Sequence, residues 1–388
     1  MNKVDNIGGQ IRIAVIGQVC IHSAMTGTRM AAPLLALTLG YGKDSAGLLV
    51  ALFALSQIFL ALPASNFTDK HGLCKSLKFC VAVSFIGVGI ASIWPIFSVL
   101  CISALICGAS AGTATIAMQR HVGRICDSPS DLKRAFSFLS IGPAFANFLG
   151  PIMAGLLIDY SGFRTAFAFL ACLPLITWIL TKNLQESIDV KGHKNSEKVA
   201  PWILLKNPDV RRLLIINTLM NIAWDFHGFM IPVLGHERGT SASAIGMILG
   251  TFAIAAVLVR LSMSAIVNSV REWALLTVAI TFSGVVLFIY PLAATPELMA
   301  ILSALLGLAL GSVQPIVLSL LHHITPSNRQ GQVLAVRLIL ADTSALTIPA
   351  ALGVIGGVAG VSVVFWIVGA FIAVGGQMGL GLRKIPFK

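Results

Sequence analysis

The sequence predicts an all-α membrane protein of twelve transmembrane helices arranged as two parallel-repeat six-helix bundles. Three observations lead there. The 388-residue chain is 56% hydrophobic and only 11% charged, with a mean hydropathy of +0.89, far more apolar than a soluble domain. Apolar segments of membrane-spanning length recur from end to end, and the second half of the chain repeats the pattern of the first.

The spans run approximately 13–38, 44–65, 77–94, 97–119, 135–158, 165–182, 213–235, 242–264, 273–290, 298–321, 332–356 and 362–381. Each is long enough to cross a hydrocarbon core of roughly 30 Å as a helix, and short charged or Gly/Pro connections separate them. The first span is too long for a cleaved signal peptide and lacks a small-residue cleavage site. With the N-terminus placed in the cytoplasm, about 21 of the 27 Lys and Arg fall on the cytoplasmic side. Three (Lys43, Arg164, Arg238) fall outside, and Arg29, Arg260 and Arg337 lie within spans. The net charge of +12 therefore encodes topology, with both termini cytoplasmic in the cell (inner) membrane. It does not imply nucleic acid, because the loops are too short to build a basic, aromatic-lined face. The seven cysteines contain no CxxC pair and read as small buried hydrophobes. His322-His323 reads as a solvated loop with no companion ligands for a metal.

The longest polar stretch, from Lys182 to Arg212, divides the spans six and six. It gives an N-terminal bundle (1–182), a cytoplasmic linker (183–212) and a C-terminal bundle (213–388). At an offset of 199 residues the halves match at Pro33/Pro232, Gly40/Gly239, Phe53/Phe252, Gly108/Gly307 and Gly112/Gly311, among others. With one residue deleted, Pro151/Pro349, Gly155/Gly353 and Phe167/Phe365 follow. Matched prolines at matched depths mark a duplicated six-helix unit, the architecture of parallel-repeat secondary transporters.

Across nearly its whole length the chain resembles the major facilitator superfamily. The loop after the second span, "SNFTDKHGLCK", resembles that family's G-x-x-x-D-R-x-G-R-K signature through Asp69, Lys70 and Gly72. It departs at Ser65, Leu73 and Cys74, with Lys75 keeping a nearby charge. The fifth span, "GPAFANFLGPIMAG", resembles the G-P-x-x-G-G signature of the family's exporters through Gly150, Pro151 and Gly155, with Ala154 at the first of the paired glycines. The family's usual arginine in the fourth span would fall on Ala104 and is missing. The resemblance implies that Asp69 clamps the start of the eleventh span near Gln330 to Gln332, as a carboxylate does at free helix N–H groups. Gly150 and Gly155 are small enough to let helices approach closely in lipid.

The stretch "NIAWDFHGFMIPVLG" places Asp225 halfway down the seventh span. A carboxylate there costs several kcal/mol unless paired or solvated, so it is expected to face something polar. Asn217, Asn221, Asp225, Gly228 and Pro232 fall on one helical stripe, and His22, Thr26, Arg29 and Pro33 form the corresponding stripe of the first span. The resemblance implies that both stripes look into a central cavity, where Arg29 and Asp225 form a charge pair flanked by His22, Asn221 and Gln314. His227, on another face, reads as a structural histidine. Arg260, Arg337 and Asp342 are expected in the inner third of the bilayer as a gate network, together with Asp69, Gly72 and Lys75.

The expectation is a monomeric transporter moving a small organic solute by alternating access, outward and driven by protons. A buried guanidinium prefers planar anions, so an anionic or zwitterionic solute is expected, its carboxylate displacing Asp225 from Arg29. No cofactor and no metal is expected, and no G-x-x-x-x-G-K-[ST], G-x-S-x-G or H-E-x-x-H pattern points to ATP use or enzymatic chemistry. A proton-coupled importer of a metabolite is the alternative, and a non-transporting membrane sensor or scaffold the distant one.

Overall fold

The computed structural model describes residues 3–125, 129–181, 205–266, 271–326 and 329–384. Most of the linker (183–204) and the side chain of Asp69 lie outside the described residues. Ten α-helices cover nearly all the rest: α1 (Lys3–Thr38), α2 (Lys43–Ile93), α3 (Phe97–Ile125), α4 (Pro129–Leu180), α5 (Pro208–Glu237), α6 (Ala242–Ile266), α7 (Glu272–Ile289), α8 (Pro296–Ile324), α9 (Gln330–Ala359) and α10 (Val361–Gly376). The described residues contain no β-strand.

Where the sequence pattern indicates two spans and a loop, α2 and α4 each run through. The segment 65–71 stays helical and the chain turns at one residue, Gly72 (φ 78°, ψ 176°); α4 turns likewise at Gly162 (φ 85°, ψ 169°). Neither residue has a Cβ to resist a positive φ, so the helix kinks at a single position where a loop was expected. Among the described residues, positive φ also occurs at Gly40, Gly239 and Gly360. Gly40 and Gly239 stand 199 apart, and Gly162 and Gly360 stand 198 apart, the two offsets of the sequence repeat. His322 and His323 occupy the last turn of α8 rather than a loop.

Nine stretches of the described residues are long and apolar enough to cross a membrane. Helices α1 and α5 are not among them, because the polar residues of their stripes lower their hydropathy. Apolar side chains such as Phe59 (72% exposed), Leu292 (72%) and Val358 (89%) point outward, as lipid-facing groups do in a multi-pass protein.

The chain divides into two compact units, Met1–His193 with Gly235–Gly250, and Lys194–Leu234 with Thr251–Lys388. In the first unit α1 lies against α4. A Cβ at Gly150 would come within 2.6 Å of the Ser23 carbonyl oxygen and 2.8 Å of the Gly27 nitrogen, so glycine permits the contact. Thr26 Oγ1 then donates to the Ala146 carbonyl at 2.8 Å. Helices α2 and α3 meet where Gly108 faces the backbone of Phe53. The second unit repeats this device: Gly307 of α8 faces the Phe252 backbone of α6, and a Cβ at Gly311 would lie 2.7 Å from Ala256 Cα.

The stretch 235–250 packs with the first unit for a local reason. A side chain at Gly155 would enter the backbone of Ala242, 2.8 Å from its carbonyl carbon and 2.9 Å from Ser243 Cα. One turn further along α4, Asp159 accepts hydrogen bonds from the backbone N–H groups of Ala242 (2.9 Å) and Ser243 (2.7 Å), while Ser241 Oγ accepts from Ala244 N–H (3.2 Å). Three of the free donors at the start of α6 are thereby satisfied.

Candidate functional site

The polar residues of α5 are set by helical spacing, and their surroundings by the helices packed on it. Asn217 is fully buried, Asn221 half-buried, and Asp225 is 8% exposed. Neither polar atom of the Asn217 amide, nor the Asn221 nitrogen, has a hydrogen-bond partner among the described residues. Asp342, on α9, lies close enough to Asp225 and to Arg337 for both charges to act on it. Arg337 is 8% exposed and its Nε has no hydrogen-bond partner among the described residues. The second unit thus gathers two carboxylates and a buried guanidinium.

Arg260 goes elsewhere. Close packing of α6 on α8 at Gly307 and Gly311 brings it, one turn beyond Ala256, against α8. Its Nη2 donates to Gln314 Oε1 at 3.0 Å and its Nε to the Gly311 carbonyl at 3.4 Å. The guanidinium carbon stands 5.5 Å from the ring centre of Trp224 on α5. Trp224 meets Phe252 edge-on at 4.6 Å. Gln314 and Arg260, read separately in the sequence as a cavity amide and a gate, are one cluster.

His227 is buried and joined to a third group. Its Nε2 is 2.8 Å from Ser303 Oγ, Ser303 Oγ is 2.8 Å from Tyr290 Oη, and Tyr290 donates to the Met299 carbonyl at 2.9 Å. Proton counting fixes the directions: Tyr290 uses its one hydrogen on Met299, so Ser303 donates to Tyr290 and accepts from His227 Nε2–H. The imidazole also stacks on Phe252 at 4.3 Å. Ser303→Ala removes the acceptor of the buried His227 Nε2–H, so a stability loss of about 1–3 kcal/mol is expected. A lowered thermal unfolding midpoint in detergent measures it.

In the first unit His22 Nε2 lies 3.5 Å from Thr115 Oγ1 of α3, and Arg29 is half-buried on the same face of α1. Gly150 and Gly155 hold the packing positions described above, Gly155 against the start of α6, and the Pro151 carbonyl faces Gly246. Lys75 and Lys70 are exposed. Asp159 and the ion pair between Lys43 and Glu237 escaped sequence reasoning, as did Trp224. Asp159 had one usable signal, its position four residues after Gly155 on the same helical face.

Long apolar helices carrying buried ionisable side chains define a multi-pass membrane protein. The chain belongs to the Major Facilitator Superfamily, whose model matches residues 14–210 and 213–386. It is 31% identical over 172 residues to the quinolone resistance protein NorA of Staphylococcus aureus (strain MRSA252), covering 43% of each chain. It is 28% identical over 224 residues to the multidrug resistance protein MdtG of Salmonella arizonae, covering 55% of each. The match thus spans about half the length of these curated relatives. Among solved structures, a mutant of the nucleoside transporter NupG superposes with a TM-score of 0.76 at 14% identity, covering 97% of this chain and 99% of that one. A bacterial homolog of the human lysosomal transporter Spinster, inward-facing and occupied, gives 0.77 at 12% identity, with 96% of both chains covered. At these identities the structures share the fold alone.

Proposed function

We propose that this protein is a proton-coupled exporter of a small anionic or zwitterionic organic solute. It works by alternating access between two duplicated six-helix halves, 1–182 and 213–388, as a monomer in the cell (inner) membrane with both termini cytoplasmic. Counting α2 and α4 as two spans each, divided at Gly72 and Gly162, supports twelve helices. The paired glycine turns, and the matched contacts of Gly108 with Phe53 and Gly307 with Phe252, support the duplication. The resistance proteins NorA and MdtG favour the outward direction.

The observation that carries the reading is Asp225, buried in a helix core within Coulombic range of a second carboxylate, Asp342. Asp342 is exposed and the Arg337 charge offsets part of the effect, but the two carboxylates still repel, and a proton on Asp225 relieves the repulsion. Arg29 supplies the opposing charge in this scheme and holds Asp225 ionised until the solute's acid group competes for the guanidinium. Asp69, with Gly72 and Lys75, governs the conformational cycle.

The test is purified protein in liposomes with an imposed pH gradient and a fluorescent quinolone as solute. Accumulation in an acidic lumen, collapsing when the gradient is dissipated, is expected of an antiporter. Movement of solute together with protons would instead make the protein an importer, and no movement under either gradient would reject transport. Arg29→Lys is expected to slow gradient-driven movement at least about tenfold, because an ammonium cannot reproduce the planar two-donor fork.

A further inference from the structure

We propose that Arg260, Gln314 and Trp224 form a second anion pocket, inside the second unit, that takes the carboxylate of an aromatic organic acid. The inference rests on the transporter reading above and adds, besides Arg29, a second contact for an acid group.

The argument starts from charge. Arg260 is half-buried, and its three contacts are with an amide oxygen, a backbone carbonyl and an aromatic ring. All three are neutral. Among the described residues Arg260 makes no ion pair. A guanidinium partly withdrawn from water without a counter-ion carries a desolvation cost, and a carboxylate brought to it gains what the protein has not supplied.

Orientation points the same way. A guanidinium has five donor hydrogens in a fixed plane, and Gln314 and Gly311 take one each. The contacts at Nε and Nη2 immobilise the plane and leave Nη1 without a partner among the described residues. The side chain is therefore held in place before any ligand arrives, which lowers the entropy cost of binding. Trp224 holds the guanidinium by cation–π attraction. Half-buried itself, it offers apolar surface beside the cation for the body of the same ligand. Gly307 and Gly311 make the arrangement possible, since larger residues would push α6 and α8 apart and withdraw Arg260 from Gln314.

The experiment measures equilibrium binding of nalidixate and of its uncharged ethyl ester to the detergent-purified protein, at a pH where the acid is ionised. The wild type is expected to prefer the acid, and Arg260→Gln to reduce that preference about 10- to 100-fold while leaving ester affinity within about twofold. Arg260→Lys should fall between, because charge is kept and the fork is lost. Thermal unfolding of each variant monitors folding; if Arg260→Gln does not fold, Arg260→Lys and Gln314→Ala carry the test. Equal affinity of the wild type for acid and ester, or an unchanged preference in Arg260→Gln, overturns the pocket. The same proteins in liposomes separate the two ideas. Wild-type transport with an Arg260-independent acid preference rejects the pocket and leaves the exporter standing. Arg260-dependent binding without transport does the reverse.

Discussion

Asp225→Asn is expected to abolish gradient-driven solute movement, lowering it about 100-fold, to the level of protein-free liposomes. Asparagine is nearly isosteric with aspartate and keeps an acceptor oxygen, so the helix core is undisturbed, but it neither ionises nor carries a proton. If Asp225 is where a proton is bound and released, the variant is locked in one charge state and gradient and solute are uncoupled. Exchange of labelled for unlabelled solute at equal concentrations needs no net proton movement and should persist, which separates lost coupling from lost folding. Asp342, on α9 and within electrostatic range of Asp225, provides the internal comparison. Asp342→Asn removes the repulsion while sparing the primary site, so a smaller loss is expected. Full proton-driven transport in Asp225→Asn, with none in Asp342→Asn, would move the assignment to α9.

The second large effect is expected at Gly155. A valine Cβ there would overlap the Ala242 carbonyl group and approach Ser243 Cα, all backbone atoms that cannot rotate away. Helix α4 and the start of α6 must separate, and the two hydrogen bonds from Ala242 and Ser243 to Asp159 lie one turn away on the same surface. Overpacking of this kind costs about 1–3 kcal/mol, and the lost hydrogen bonds add to it. Gly155→Val should therefore lower the thermal unfolding midpoint in detergent by roughly 5–10 °C. Gly357→Ala is the matched control, because nothing lies within 4 Å of a Cβ at that position, and its midpoint should stay within about 1 °C. An undiminished midpoint in Gly155→Val would show that α4 and α6 do not press together there.

Much of this protein is legible from its sequence because the bilayer is an unforgiving solvent. Backbone groups must be satisfied within each span, so long apolar runs can only be helices, and their lengths and separations disclose the fold class. Asp225 stood out for the same reason, since a carboxylate in an apolar run has few physical excuses. Gly40 and Gly239 were visible as a pair in the repeat and proved to be at positive φ; Gly162 and Gly360, which the sequence reading did not single out, proved to be so as well. Hydropathy did not reveal that α2 and α4 turn at single residues, because a glycine turn needs no polar loop.

What only the tertiary structure decided is which polar groups meet. Spacing along one helix places Trp224, Arg260 and Gln314 on three separate spans with nothing to relate them. Their union depends on how closely α6 can approach α8, which the smallness of Gly307 and Gly311 allows and the rotation of each helix completes. The same holds for Asp159 at the start of α6, for His227, Ser303 and Tyr290, and for Asp342 near Asp225. The sequence determined what crosses the membrane and which charges are buried there, because transfer from water to lipid is a property of each segment by itself. Partners are a property of pairs of helices, and a distance of 3.0 Å between side chains 54 residues apart is set by packing that no local pattern encodes.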